Sequence, residues 1–247
     1  MLQEICLTTI LLAAISLLLT FNVSSAANAP SSAAFQWNAN LDPSSGRAFS
    51  FESSSLPPPD DNNSRVDEKD YTSRAMELLR NYPNWLCRRG VTFGFLRAVP
   101  GAYGHNRRPC VKICDSLFGM ELISFGIQEK ARRVAVSDGD GDDDDSTKKK
   151  RVVLAAREFP VVGGLLSMPV HDCGCIHFTV AKHKCGQGMQ YELESRVMDY
   201  CPAIAGSAPV GWVRRCAYLG TQTLVHVYVM RRYHGYVHEA ISKGALS

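Results

Sequence analysis

The sequence predicts an α+β fold in which a curved antiparallel sheet of about six strands packs against one long C-terminal helix. Three observations carry this expectation. Short alternating or β-branched runs recur between residues 91 and 197, each bounded by Gly, Pro or charge, as in an antiparallel sheet. A helix-like run, Arg74–Arg80, precedes them. Residues 211–242 contain no proline and no acid before Glu239, a stretch too long for an ordinary strand.

In chain order, Asp70-Tyr-Thr-Ser73 supplies a polar start to a short helix with apolar Ala75, Met76, Leu78 and Leu79, stopped before Pro83. Trp85 anchors the connection that follows. Val91–Leu96, Cys110–Cys114 and Leu122–Ile127 read as strands, the last running on through Val134–Val136. An acidic insertion, residues 137–150, separates these from Val152–Ala156 and reads as a hairpin tip. Its Asp138, Asp140 and Asp142 have calcium-loop spacing, but Asp143 replaces the required Gly and Lys149 the closing Glu. Ile176–Ala181 and Met189–Val197 alternate on either side of a Gly-rich turn, with Met189, Tyr191, Leu193 and Val197 on one face. The C-terminal segment carries a helical stripe of Leu224, Val225, Tyr228, Val229, Arg232 and Tyr233. A sheet with one apolar face needs a cover, and this helix is the only element long enough to supply it. The result is the helix-grip (START-like) plan, with a cavity between sheet and helix.

Length and charge limit the rest. The 247 residues suit one domain with appendages. The net charge of +3 averages unlike parts: beyond residue 70 there are 24 basic and 16 acidic side chains, and six of those acids lie in the insertion. The body should attract anions such as an anionic membrane surface. Its arginines are scattered and accompany no nucleic-acid-binding signature, which disfavours nucleic acid as partner.

Residues 1–26 read as a secretory signal, with apolar Ile5–Phe21 ahead of Ser24-Ser-Ala-Ala27; an uncleaved anchor formed by residues 5–21 is the alternative. Residues 27–69 are rich in Ser, Pro and Asp and read as a disordered linker, leaving 70–243 as the folded domain. The destination is the secretory pathway or the exterior; a bipartite plastid address, with a transit segment beginning near Ala34-Phe35, is a second reading. Asn62-Asn-Ser64 is a glycosylation sequon, usable only on the secretory route.

Of nine cysteines, Cys6 leaves with the signal, and the remaining eight suit one to three disulfides whose pairing the sequence does not fix. His171, Cys173, Cys175 and His177 would share one side of a strand, but that spreads them too far apart for the turn geometry of structural zinc sites. No metal or other cofactor is therefore assigned.

The order of elements resembles the DUF1990 (UPF0548) type of uncharacterised plant and bacterial proteins over about residues 70–240. The resemblance rests on Arg74–Arg80 leading to Trp85 and Phe93, on Cys110-Val-Lys and Leu122-Ile, and on His177-Phe-Thr-Val, Tyr191-Glu-Leu and Tyr200-Cys-Pro202 before an Arg-rich helix. It implies a START-like ligand-binding architecture. The acidic pair that ends the family's Gly-rich stretch is replaced here by Cys175-Ile176.

The leading functional expectation is binding of a small apolar or amphipathic molecule, with Phe93, Phe178, Tyr191, Leu224 and Tyr228 lining the pocket. The same residues equally suit a solid core. One alternative is a proton-transfer enzyme with His171 or His177 as general base at the cavity mouth and Arg196 or Tyr191 orienting the substrate. The other is a disulfide-stabilised secreted interaction protein. No established catalytic motif is present.

Overall fold

The computed structural model describes residues 35–59, 68–88, 91, 94–127, 151–168, 174–186, 188–206, 208–220 and 222–243. Expectations for the N-terminal signal, the sequon, Phe93, His171, Cys173 and the insertion 137–150 lie outside these residues.

Eight strands form one antiparallel sheet in the order β1-β2-β8-β7-β6-β5-β4-β3. They are β1 Gln36–Leu41, β2 Ala48–Leu56, β3 Leu96–Tyr103, β4 Arg108–Asp115, β5 Glu121–Gly126, β6 Arg151–Gly163, β7 Cys175–Cys185 and β8 Gly188–Tyr200. Helices α1 (Glu68–Arg80) and α2 (Tyr82–Leu86) lie between β2 and β3; α3 (Trp212–Gly220) and α4 (Gln222–Ser242) follow β8. Strands β3 to β8 follow one another as neighbours, and β2 returns to pair with β8. That long-range pairing joins the β1-β2 hairpin to the last strand of the sheet.

The α+β class, the antiparallel curved sheet and the helical C-terminus agree with the sequence reading. Two details differ. The sheet has eight strands instead of about six, because Gln36–Leu41 and Ala48–Leu56, assigned to a disordered linker, pair with each other and with β8. The expected strand Val91–Leu96 begins only at Leu96 and runs to Tyr103 through Pro100. Proline is tolerated there because β3 is an edge strand and its missing N–H interrupts no second ladder. The helical C-terminus is described over Trp212–Gly220 and Gln222–Ser242.

All the helices that contribute to the main core cover one face of the sheet. Tyr71 of α1 meets Tyr191 of β8 with ring centroids 5.1 Å apart, Tyr82 of α2 meets Phe178 of β7 at 4.8 Å, and Tyr233 of α4 meets Phe178 at 5.1 Å. Trp85, Phe125 and Phe159 complete this aromatic cluster. Edge and tilted contacts at these distances leave the rings interdigitated, which stabilises the core beyond simple area burial. α1 is oriented by acidic Glu68 and Asp70 in its first turn and Arg80 in its last, as the helix dipole favours.

The other face is polar. His177, Thr179 and Ala181 of β7 alternate with the inward Phe178 and Val180, and pair in register with Arg196, Glu194 and Glu192 of β8. Glu194 there accepts ion pairs from Arg151 at 2.7 Å and Arg196 at 3.1 Å. No helix of the described residues is long and apolar enough to cross a membrane.

Candidate functional site

Strand β2 places Ser50, Glu52 and Ser54 on the helix-covered face, two residues apart, as the strand period requires. Register sets Glu52 directly opposite Ser195 of β8. Above them α4 presents His226 and His234, eight residues apart and so on nearly one side of the helix. The sequence thus converges six polar side chains on a seam between β2, β8 and α4.

Glu52 is fully buried, and Ser195 is as well. Ser195 Oγ donates to Glu52 Oε2 at 2.7 Å and lies 3.0 Å from His234 Nε2. His234 Nδ1 is 2.8 Å from Ser54 Oγ. Because the single Ser195 proton goes to Glu52, His234 Nε2–H donates to Ser195 Oγ, and Ser54 O–H donates to Nδ1. On the other carboxylate oxygen, His226 Nε2 sits 3.0 Å from Glu52 Oε1 and 3.0 Å from Ser50 Oγ. A continuous polar chain therefore runs from Ser54 to Ser50, and both Glu52 oxygens are engaged. Phe35 closes one side with an edge contact to the His234 ring at 5.3 Å.

The electrostatics follow from burial and partners. Burial favours the protonated form of Glu52, but hydrogen bonding and the charge of His226, with hydrogen bonds from Ser195 and Ser50, outweigh it and hold the carboxyl below its usual range. His234 is pushed down to about 4, chiefly by burial, against the pull of Glu52. It is neutral at physiological pH, in accord with the hydrogen-bond directions above. His226 reaches solvent with 21% of its side chain exposed, so the chain has one wet end. Beside that end, on the same sheet face and directly opposite Glu52 in register, Trp37 is 50% exposed. A carboxylate backing a partly exposed imidazole can hold a polar group of a ligand, or move a proton at His226.

The residues expected to line a pocket are not brought together. Phe178 is fully buried in the aromatic cluster and Tyr191 is packed on Tyr71. Leu224 is largely exposed and Tyr228 half-buried. The buried stripe of α4 is Thr223, Met230, Tyr233, His234, Val237 and Ile241, rotated from the apolar stripe read in the sequence. His177 lies on the polar outer face, 3.3 Å from Thr179 Oγ1, and Arg196 shares that face; Tyr191 points to the other. Burial lowers His177's affinity for a proton, against the influence of Glu158.

Among the described residues Cys87, Cys110, Cys114, Cys175 and Cys216 are free thiols, and no disulfide joins two described cysteines. Sequence reasoning missed Glu52, Ser54, Ser195 and His234. The one available signal was the pair His226 and His234 on a helix meant to cover a sheet. In comparisons with known proteins, no family model and no curated sequence matches the chain.

Proposed function

We propose that this protein is a binding module of the helix-grip (START-like) plan, akin to the DUF1990 type, and that it holds a small amphipathic molecule at the Glu52–His226 seam. Support for the plan comes from the order of elements: the hairpin β1-β2, two helices, a six-strand meander whose last strand pairs with β2, then α3 and the long α4, which lies on the sheet. The observation that carries the reading is the fully buried Glu52 carboxylate joined to a solvent-reaching His226, with exposed apolar Trp37 opposite Glu52 on the same face. A ligand's polar group would hydrogen-bond at His226 and Ser50, and its apolar part would cover Trp37. The ring cluster around Phe178 argues for the seam over the middle of the sheet as the seat, because a close-packed core has no room for a guest.

The Glu52–His226 hydrogen bond also favours a second reading, proton transfer to a bound substrate with His226 as the base. Native mass spectrometry of protein purified from its host tests the first. A stoichiometric small molecule lost on His226→Ala is expected; a consistently empty wild-type protein overturns the reading. Turnover of the recovered molecule, abolished by Glu52→Gln, would shift the assignment to the second.

A further inference from the structure

A guanidinium without an acid lies between β6 and the end of α1. Arg157 pairs in register with Phe178, so its side chain enters the helix-covered face, and it is only 7% exposed. A buried cation is ordinarily matched by a carboxylate or by hydrogen bonds to its donors. Among the described residues no carboxylate pairs with Arg157, and its Nε has no hydrogen-bond partner. Its guanidinium instead faces the Phe159 ring at 5.6 Å, a contact that leaves the in-plane N–H donors available.

Phe159, two residues along β6 from Arg157, and Phe178, its register partner, both pack against Tyr82, two residues beyond Arg80 at the end of α1. Burial lowers the basicity of Arg157, and the like charge of Arg80 lowers it further. Two cations that no carboxylate of the described residues pairs with suit an anion. Arg80 also lines a surface groove of about 580 Å³ walled by Ser73, Met76, Glu77, Asn81 and Asn84. The amides of Asn81 and Asn84 add neutral donors beside Arg80. Glu77, on the same wall, disfavours a bare polyanion and suits a substituent that donates hydrogen bonds.

We propose that Arg157 and Arg80 form a phosphate-binding site whose ligand is a phosphomonoester, with the phosphate between the two guanidinium groups and its hydroxyl-bearing substituent in the groove along α1 and α2. The chemistry is shared by soluble phosphate esters and by lipid headgroups. Arginine is suited to it because its planar fork matches two phosphate oxygens at once. The site stands on α1, α2 and β6, apart from the Glu52–His226 seam on β2, β8 and α4, and does not depend on the function proposed there.

The test uses the full purified chain with two probes: glycerol 3-phosphate followed by calorimetry, and phosphatidylcholine vesicles with or without phosphatidic acid followed by co-sedimentation. Saturable one-to-one binding of the soluble ester, weakened at least about tenfold by Arg157→Met and by Arg80→Ala, is expected. Binding confined to the phosphatidic acid vesicles, with the same loss in both variants, assigns the site to a lipid headgroup. Removing an unmatched buried charge should also raise the melting temperature of Arg157→Met in phosphate-free buffer. Should that variant fail to fold, exposed Arg80→Ala decides alone. No saturable binding of either probe, or binding unchanged in the folded variants, overturns the proposal.

Discussion

Ser195 and Glu52, 143 residues apart in sequence, meet across the β2–β8 ladder with a 2.7 Å hydrogen bond in which the hydroxyl donates to a fully buried carboxylate. The pairing of an N-terminal strand with the last strand is what makes this contact. The contact in turn fixes the tautomer of His234 on α4, tying helix to sheet through polar groups at a place where apolar packing alone would serve elsewhere.

Glu52→Ala should cost about 3–5 kcal/mol in urea unfolding, because it strands the donors of Ser195 and His226 without their acceptor. Glu52→Gln keeps the shape and part of the hydrogen bonding and should cost about 1–2 kcal/mol. In a double-mutant cycle, Ser195→Ala and Glu52→Gln should couple by about 1 kcal/mol or more. Strict additivity would show that the seam is not one network.

Stability should fall as pH drops from 6.5 towards 4. His234 has its folded value pushed down to about 4 from an ordinary 6.5, so in this window the unfolded chain takes up a proton that the folded one refuses. The shift corresponds to about 3 kcal/mol, lost progressively below pH 6.5 and fully present above it. Glu52, also held below its ordinary value, adds a loss of the same sign at still lower pH. Melting temperatures against pH check this: His234→Gln should flatten the slope between pH 6.5 and 4, and an equally steep variant would place the titration elsewhere.

The aromatic cluster should behave as a solid core. Phe178→Ala is expected to cost about 3–5 kcal/mol by chemical denaturation. Tyr233 is fully buried, and its hydroxyl donates to the carbonyl of Leu78 at 3.0 Å. Tyr233→Phe should therefore cost about 1–2 kcal/mol by leaving that α1 carbonyl one donor short. A Phe178→Ala effect under about 1 kcal/mol would reveal an existing cavity at that position.

Thiol reactivity should rank by exposure. Cys216 is exposed, whereas burial pushes Cys87 up to about 11 and, with Glu158, Cys175 up to about 12. Maleimide labelling of the native protein at pH 7.5, read by peptide mass spectrometry, should modify Cys216 first and leave Cys87 and Cys175 unmodified over the same interval. A mass deficit showing Cys87 or Cys175 in a disulfide would contradict the free thiols found here.

Much of the sheet was legible because its central strands obey the simplest rule. Ile176, Phe178 and Val180 alternate with polar neighbours, as do Tyr191, Leu193 and Val197, and both runs are strands with those residues inward. β2 defeated the same rule. Its apolar Phe49 and Phe51 alternate to the outer face, where Phe51 stacks under the Arg196 guanidinium at 5.3 Å, while Ser50, Glu52 and Ser54 point into the helix-covered side. A reading that seeks one apolar face finds none pointing inward there. The same inversion misplaced the stripe of α4, whose inward side includes His226 and His234 because partners wait for them on β2 and β8.

The sequence by itself determined the class of fold, the central meander and the helical C-terminus, since alternation, turn residues and length are local properties. Tertiary structure alone decided which N-terminal strand joins β8, which side of α4 faces inward, and that Glu52, Ser195, His226 and His234 form a site. A polar residue is stable inside only when its partner is there, and that partner is supplied by chain more than a hundred residues away.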